Sequence, residues 1–166
     1  VATVDWGGII MNKNMSRDNK SRHPRYTSDI FELASGITNQ TSIQCVAIYP
    51  NTIDEIPDFE IDFLKELPTV WDDTKLLSGY PSSYVVLARK SGDCWYIAGL
   101  NGTNEKKSLA VDLSFIQEPV KEITLYADGK ERNQFDIQML SGLKKSVHEV
   151  DCLPRGGFVM KVQMKN

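Results

Sequence analysis

Hydrophobic and polar positions recur along this chain with two different periods, and the change falls near residue 73. After Asp73 the period is two. Tyr84, Val86 and Ala88 alternate with Val85, Leu87 and Arg89, and Leu109, Val111 and Leu113 alternate with Ala110, Asp112 and Ser114. Alternation of this kind sends successive side chains to opposite faces of a strand. Further strands are expected at 94–100, 121–127, 135–140, 146–151 and 157–164. In the last, Phe158, Met160, Val162 and Met164 face one way and Val159, Lys161 and Gln163 the other. Gly92, Asn101-Gly102, Asp128-Gly129 and Gly142 supply the turns. About seven short strands at this spacing predict an antiparallel β-sandwich.

Before residue 73 the pattern is helical. Ile30, Leu33, Ala34, Ile37, Thr41, Gln44, Cys45 and Ile48 follow a helical spacing up to Pro50. Asp29 with Glu32 resembles a capping box, and Gly36 is expected to break or kink the helix. A second helix is expected at 58–67, with Pro57 before it, Pro68 after it, and Phe59, Phe63 and Leu67 on one face. "VATVDW" (1–6) reads as a buried strand closed by Gly7-Gly8, and 12–25 as a polar loop. The expected fold class is mainly β with an α-helical N-terminal part: one or two helices preceding the sandwich.

Charge and composition narrow the classes of function. The chain has 166 residues and a net charge of −3, and it lacks the clustered Lys and Arg that neutralise a phosphate backbone, so no nucleic-acid partner is expected. Arg17, Lys20, Arg22 and Arg25 form the nearest basic run and read as a solvated loop. No stretch approaches the roughly 20 apolar residues of a membrane span. Cys45, Cys94 and Cys152 carry no metal-ligand spacing and read as small buried residues. The first residue is Val rather than Met, so the chain is expected to be a processed form, an expressed segment or a proteolytic piece.

Candidate chemistry is sparse. Glycoside hydrolysis needs two carboxylates across a sugar-sized gap. Asp54, Glu55, Asp58, Glu60, Asp62, Glu66, Asp72 and Asp73 are most simply the wet face of a helix and its linker. Asp5 stands where a barrel strand would meet its loop, the position at which barrel enzymes place chemistry. A Ser/His/Asp hydrolase is poorly supported, because there is no GxSxG and the only histidines are His23 and His148. No phosphate loop, dinucleotide fingerprint, calcium loop or zinc motif occurs. The Asn-x-Ser/Thr triplets at Asn14, Asn39 and Asn101 read as chance. Tyr80, Tyr84, Trp95, Tyr96 and Tyr126 are candidate platforms for a pyranose ring, with Trp95 taken as the sugar contact. Trp95 and Tyr96 point to opposite faces of one strand, so one is expected in the core and the other against the helical segment.

"FLKELPTVWDDTKLLSGYPSSYVVLARKSGDCWYIAGLNG" (63–102) resembles the junction before the C-terminal domain of glycoside hydrolase family 97. "TSIQCVAIYPN" (41–51) is similar to a segment on that family's last barrel helix, near "SPLQ…P". Gln44 and Pro50 agree, whereas Ser42 replaces a proline and Ile48 stands where the family often has an acid. "VDWGGI" only echoes the family's Asp-Tyr-Thr-Pro-Gly turn. The resemblance implies a parent α-glucosidase or α-galactosidase of bacterial polysaccharide utilisation, periplasmic, built as sandwich, β/α barrel and sandwich. It implies catalytic carboxylates and a glutamate-bound calcium ion upstream of Val1, with no cofactor in this chain. Residues 1–72 would then be the remnant of the barrel's end and 73–166 the C-terminal sandwich. The expected work is non-catalytic support of the barrel, whose remaining part would be the partner, with an α-linked oligosaccharide as a second one. Two competitors stand beside it: an independent carbohydrate-binding module, and a self-sufficient hydrolase using Asp5 with an acid from 54–73.

Overall fold

The computed structural model describes residues 6–14, 24–39, 43–132, 134–140 and 147–165. The elements are β1 (Trp6–Ile10), α1 (Asp29–Thr38), β2 (Gln44–Ala47), a 3₁₀ turn (Pro50–Glu55) and α2 (Asp58–Glu66). Eight strands follow: β3 (Asp73–Tyr80), β4 (Tyr84–Ser91), β5 (Cys94–Asn101), β6 (Lys107–Asp112), β7 (Val120–Asp128), β8 (Phe135–Leu140), β9 (Val147–Cys152) and β10 (Gly157–Met164). Six of them form one antiparallel sheet in the order β3-β4-β5-β10-β7-β8. β6 and β9 pair with each other and lie across one face of it, and the two layers share an apolar core. β1 and β2 form a separate parallel pair.

The alternation in β10 decides both cores. Phe158, Met160, Val162 and Met164 enter the layer closed by β6 and β9, where they meet Ile97, Ile123 and Leu109. Val159 enters the other layer, closed by α1 and α2, where Ile30, Leu33, Ile37 and Phe63 pack. Phe158 is 0% exposed, and its ring occupies the space above Gly99, where an added Cβ would come within 2.1 Å. Burying one such ring contributes roughly 1.5–3 kcal/mol.

The N-terminal part departs from the helical reading at several points. α1 stops at Thr38, with Asn39 as its C-cap, and 44–47 is a strand paired to β1 rather than a continuation of the helix. Gly36 lies inside α1 without ending it. A Cβ there would meet Leu67 Cδ2 at 2.8 Å, so the glycine admits the Leu67 side chain against the helix. The N-cap is Ser28, whose hydroxyl accepts from Phe31 N at 3.1 Å, so Asp29 and Glu32 are not a capping box. The expected strand at 1–6 is displaced: β1 runs through Gly7-Gly8 to Ile10, and 1–5 lie outside the described residues. β3 is an edge strand that periodicity did not mark, because a register shift between Leu76 and Ser78 breaks its alternation.

Candidate functional site

Charged side chains converge where β1 ends and α1 begins. Arg25 is 8% exposed. Its guanidinium donates to the Ile10 carbonyl at 2.8 Å, the Met11 carbonyl at 3.0 Å and the Thr27 carbonyl at 3.1 Å, and it pairs with Asp29. Irregular backbone meets here, and one arginine fork supplies donors to three carbonyls at once, that of Met11 in a buried setting. The solvated-loop reading of Arg25 is therefore corrected; Arg17, Lys20 and Arg22 lie outside the described residues. Glu32 accepts from Ile10 N at 2.9 Å and from the Thr27 hydroxyl. Burial raises its pKa, opposed by those two donors and by Arg25.

Glu60, on α2, corrects the wet-face reading of 54–66. It is 1% exposed and its Oε1 has no hydrogen-bond partner among the described residues. Burial pushes its pKa up to about 7, against the pull of Arg25 and Lys13. Asp54, Glu55, Asp58, Asp62 and Glu66 are exposed, as expected of that face. Neither Glu32 nor Glu60 lines any of the principal grooves. The cluster thus has raised carboxyl pKa values but, among the described residues, lines none of these grooves, and its chemistry is that of a latch between β1, α1 and α2.

A second latch holds the same, N-terminal end of α1. Asp128, at the end of β7, accepts from Leu153 N at 2.9 Å and Gly157 N at 2.8 Å, and the Ser28 hydroxyl bonds it as well. Burial raises its pKa while these three bonds oppose the rise. A Cβ on Gly156 would fall 1.9 Å from Asp128 Oδ2, so only glycine leaves room for the carboxylate. At the helix C-terminus Arg89 donates to the carbonyls of Ile37 and Asn39, both at 3.4 Å, and stacks over Trp71 with its guanidinium carbon 4.6 Å from the ring centre. A cation at a helix C-terminus is favoured by the dipole.

Of the two site residues expected from sequence, Asp5 lies outside the described residues. Trp95 is 4% exposed and packs edge-on against Phe115, with ring centres 5.0 Å apart. As placed, its ring offers no open face for a pyranose. Tyr96 is buried on the opposite face, edge-on to Trp71 at 5.4 Å. Both rings of the pair are therefore core, because the sheet is covered on both sides, and Tyr96 packs on the helical side. Tyr126 is half-buried against Phe59 and Phe63. Asn101 is fully buried, its amide donating to the carbonyls of Glu105 and Leu153, so its side chain is structural. Cys94 and Cys152 are buried; Cys45 is exposed, against expectation. Among the described residues, no three His, Cys, Asp or Glu side chains group as a metal site. Among the described residues, no helix is long and apolar enough to cross a membrane.

A groove of about 480 Å³ that sequence patterns did not mark lies at the β3–β4 hairpin. α1 leaves this end of the sheet uncovered, so Val85 and Leu100 form a floor with Phe31 as a wall. Leu76 and Tyr80 stand at its edge, 68% and 70% exposed. The turn between the strands is fixed by Ser83 N donating to the Tyr80 carbonyl at 3.0 Å and Gly102 N to the Ser83 carbonyl at 2.8 Å. The signal available in sequence was the Gly-Tyr-Pro turn, which marks the hairpin but not what lies beside it.

With this geometry in hand, known proteins give a consistent comparison. Residues 70–163 match the family described as "Glycosyl-hydrolase 97 C-terminal, oligomerisation". A retaining alpha-galactosidase of Bacteroides thetaiotaomicron is 31% identical over 105 residues, which is 61% of this chain and 16% of that protein. The crystal structure of a beta-arabinopyranosidase superposes with a TM-score of 0.86 at 34% identity, covering 96% of this chain and 25% of the other. A glycoside hydrolase family 97 enzyme from Pseudoalteromonas sp. strain K8, solved with panose, superposes with a TM-score of 0.76 over 87% of this chain and 24% of its own; at 18% identity that likeness speaks for the fold alone. The chain thus spans about a sixth of the length of the curated relative. The family resemblance drawn from 63–102 is borne out.

Proposed function

The chain belongs to the family of glycosyl-hydrolase 97 C-terminal domains, and from that premise we propose that it is the non-catalytic end of a glycoside hydrolase, bracing a catalytic β/α barrel and joining subunits. The observation that carries the bracing role is the β1–β2 pair. A parallel sheet is ordinarily covered on both faces and continued by further strands. Here Cys45, Val46 and Ala47 are exposed, and Ile43 just before them is 54% exposed. The unit β1–α1–β2 repeats in a β/α barrel, and α1 packs at once on β1 and on the sheet through β5 and β10. It is built to transmit position from one to the other. On this reading 1–72 is the barrel's end and 73–166 the brace.

The parent's substrates are read as galacto-configured glycosides. One relative is named an alpha-galactosidase and one structural neighbour a beta-arabinopyranosidase. A β-L-arabinopyranoside has the ring stereochemistry of an α-D-galactoside without its hydroxymethyl group, so both names fit one substrate class. The sugar-binding alternative rests on Tyr80, the exposed tyrosine beside the half-buried Tyr84. It is the weaker reading, because the groove there has no Asp, Asn, Gln or Arg to fix sugar hydroxyls.

The test is turnover. The parent enzyme should hydrolyse nitrophenyl α-galactoside faster than the α-glucoside, and the 166-residue chain alone should hydrolyse neither. Turnover by the chain alone that disappears in Asp5→Asn would overturn the non-catalytic reading.

A further inference from the structure

We propose that the groove at the β3–β4 hairpin is the seat of a second copy of this domain, with Leu76 and Tyr80 of each copy entering the groove of the other across a two-fold axis. The inference rests on the subunit-joining role proposed above and names the surface that performs it.

Four observations carry it. First, hole and knob lie side by side on one hairpin. The floor of Val85 and Leu100 is open, and Leu76 and Tyr80, 68% and 70% exposed, stand at its rim. A two-fold contact uses the same patch on both copies, so it needs both parts together; a knob placed far from its hole would instead propagate an open fibre.

Second, no charged side chain lines the groove. The chain carries a net charge of −3, so two copies repel weakly over most orientations. This neutral patch is where they can approach closely. Its polar groups are hydroxyls of Ser and Tyr, which tolerate an apolar neighbour without leaving a buried charge.

Third, the hairpin is rigid before docking. Its turn is closed by the Ser83–Tyr80 and Gly102–Ser83 backbone bonds, with Ser82 held at φ 61°. Little ordering is therefore required on association, which favours affinity. Fourth, Gly79 contributes depth: a Cβ there would lie 3.2 Å from the Tyr84 carbonyl oxygen, over the floor. The lining is about half of the 20–30 residues that a standard interface places on each side, enough for its apolar centre with a polar rim around it.

Other apolar positions are exposed as well. Val46 belongs to the β1–β2 face read above as covered by the barrel, and Met139 lies on the far edge strand β8, where its sulfur accepts from the Thr124 hydroxyl.

The experiment is sedimentation velocity on the 166-residue chain over a range of micromolar concentrations, with Leu76→Glu/Tyr80→Glu, the milder Leu76→Ser, and Val46→Glu for comparison. Circular dichroism checks that each variant is folded, which is expected at sites this exposed. The expected result is a wild-type dimer, a dissociation constant at least about 30-fold weaker in the double variant, a smaller weakening in Leu76→Ser, and an unchanged dimer in Val46→Glu. A dimer that survives both hairpin variants, or that is lost in Val46→Glu alone, overturns the assignment of this groove while leaving the subunit-joining role standing. A wild-type chain that stays monomeric throughout overturns both. Retardation of the chain in an α-glucan gel, abolished by Tyr80→Glu with the dimer intact, would give the groove to a sugar instead.

Discussion

One face of the six-stranded sheet is closed by β6 and β9 over Val86, Ile97, Phe158 and Met160, whereas the other is closed by α1 and α2 and takes in Arg25, Asp29, Glu32, Glu60 and Arg89 with its aliphatic residues. The difference follows from what each cover is made of. Strands laid on a sheet satisfy their own backbone in ladders, so only side-chain shape has to be matched. A helix set between two sheets brings irregular connections with it, and these leave carbonyls and N–H groups buried. Arg25 and Glu32 satisfy them at the start of α1, and Arg89 does so at its end. Charge on that face is a backbone partner first and an ion pair second.

Four measurements break or sharpen this contrast, most simply by urea unfolding. The largest effect is expected on the apolar face. Phe158→Ala should cost about 4 kcal/mol, since the ring is fully buried and lies over Gly99, which has no side chain to fill its space. On the charged face Arg25→Met should cost about 3 kcal/mol, because Asp29 is left buried without its partner. The double change Arg25→Met/Asp29→Leu should recover part of this; if it recovers none, the three carbonyls and not the ion pair are what Arg25 serves.

Glu60 gives a smaller effect with a pH signature. Its folded pKa of about 7 stands above the ordinary 4.5. Below 4.5 both folded and unfolded chains hold the proton and nothing is lost. Between 4.5 and about 7 the folded chain keeps a proton the unfolded chain has released, so stability falls as pH rises. Above that range the buried carboxylate is ionised at full cost, at most about 3 kcal/mol. Glu60→Gln should therefore be more stable than the wild type above neutrality, equal to it in acid, and flatter between. Glu32, whose pKa burial raises in the same direction, should leave a residual slope. An unchanged pH profile in Glu60→Gln would show that the carboxylate is compensated where it sits. Smallest is Ser28→Ala, about 1 kcal/mol for the lost N-cap; a cost well above that would report the Asp128 bond as well.

Much of the sheet was legible in the sequence, because alternation is a local pattern with a local cause. β10 reads correctly residue by residue: Phe158 and Val159 do enter different cores. The α1–β2 boundary was not legible. Apolar residues continue at helical spacing past Thr38, and what ends the helix is tertiary: Arg89, fifty residues away, takes its last carbonyls, and β1 offers 44–47 a parallel partner. Glu60 was hidden for a related reason. It sits in a run of acids that face water, and only the packing of α2 turns that one inward. Trp95 was taken as the sugar contact, but the expected covers are present on both faces of the sheet and its ring lies in the core closed by β6 and β9. The Gly-Tyr-Pro turn marked the hairpin, but the groove beside it had no local signature, since it is made by where α1 stops covering the sheet.

β10 is the last described strand in the chain, yet it lies between β5 and β7. During synthesis, the halves β3-β4-β5 and β7-β8 leave the ribosome with their inner edges bare, and neither can join the other until 157–164 has cleared the exit tunnel. A message truncated before Gly157 would release two half-sheets with open edges, a template for aggregation rather than a smaller domain. Closure of the sheet is thus deferred to β10, and a nonsense change before it should be felt in solubility before it is felt anywhere else.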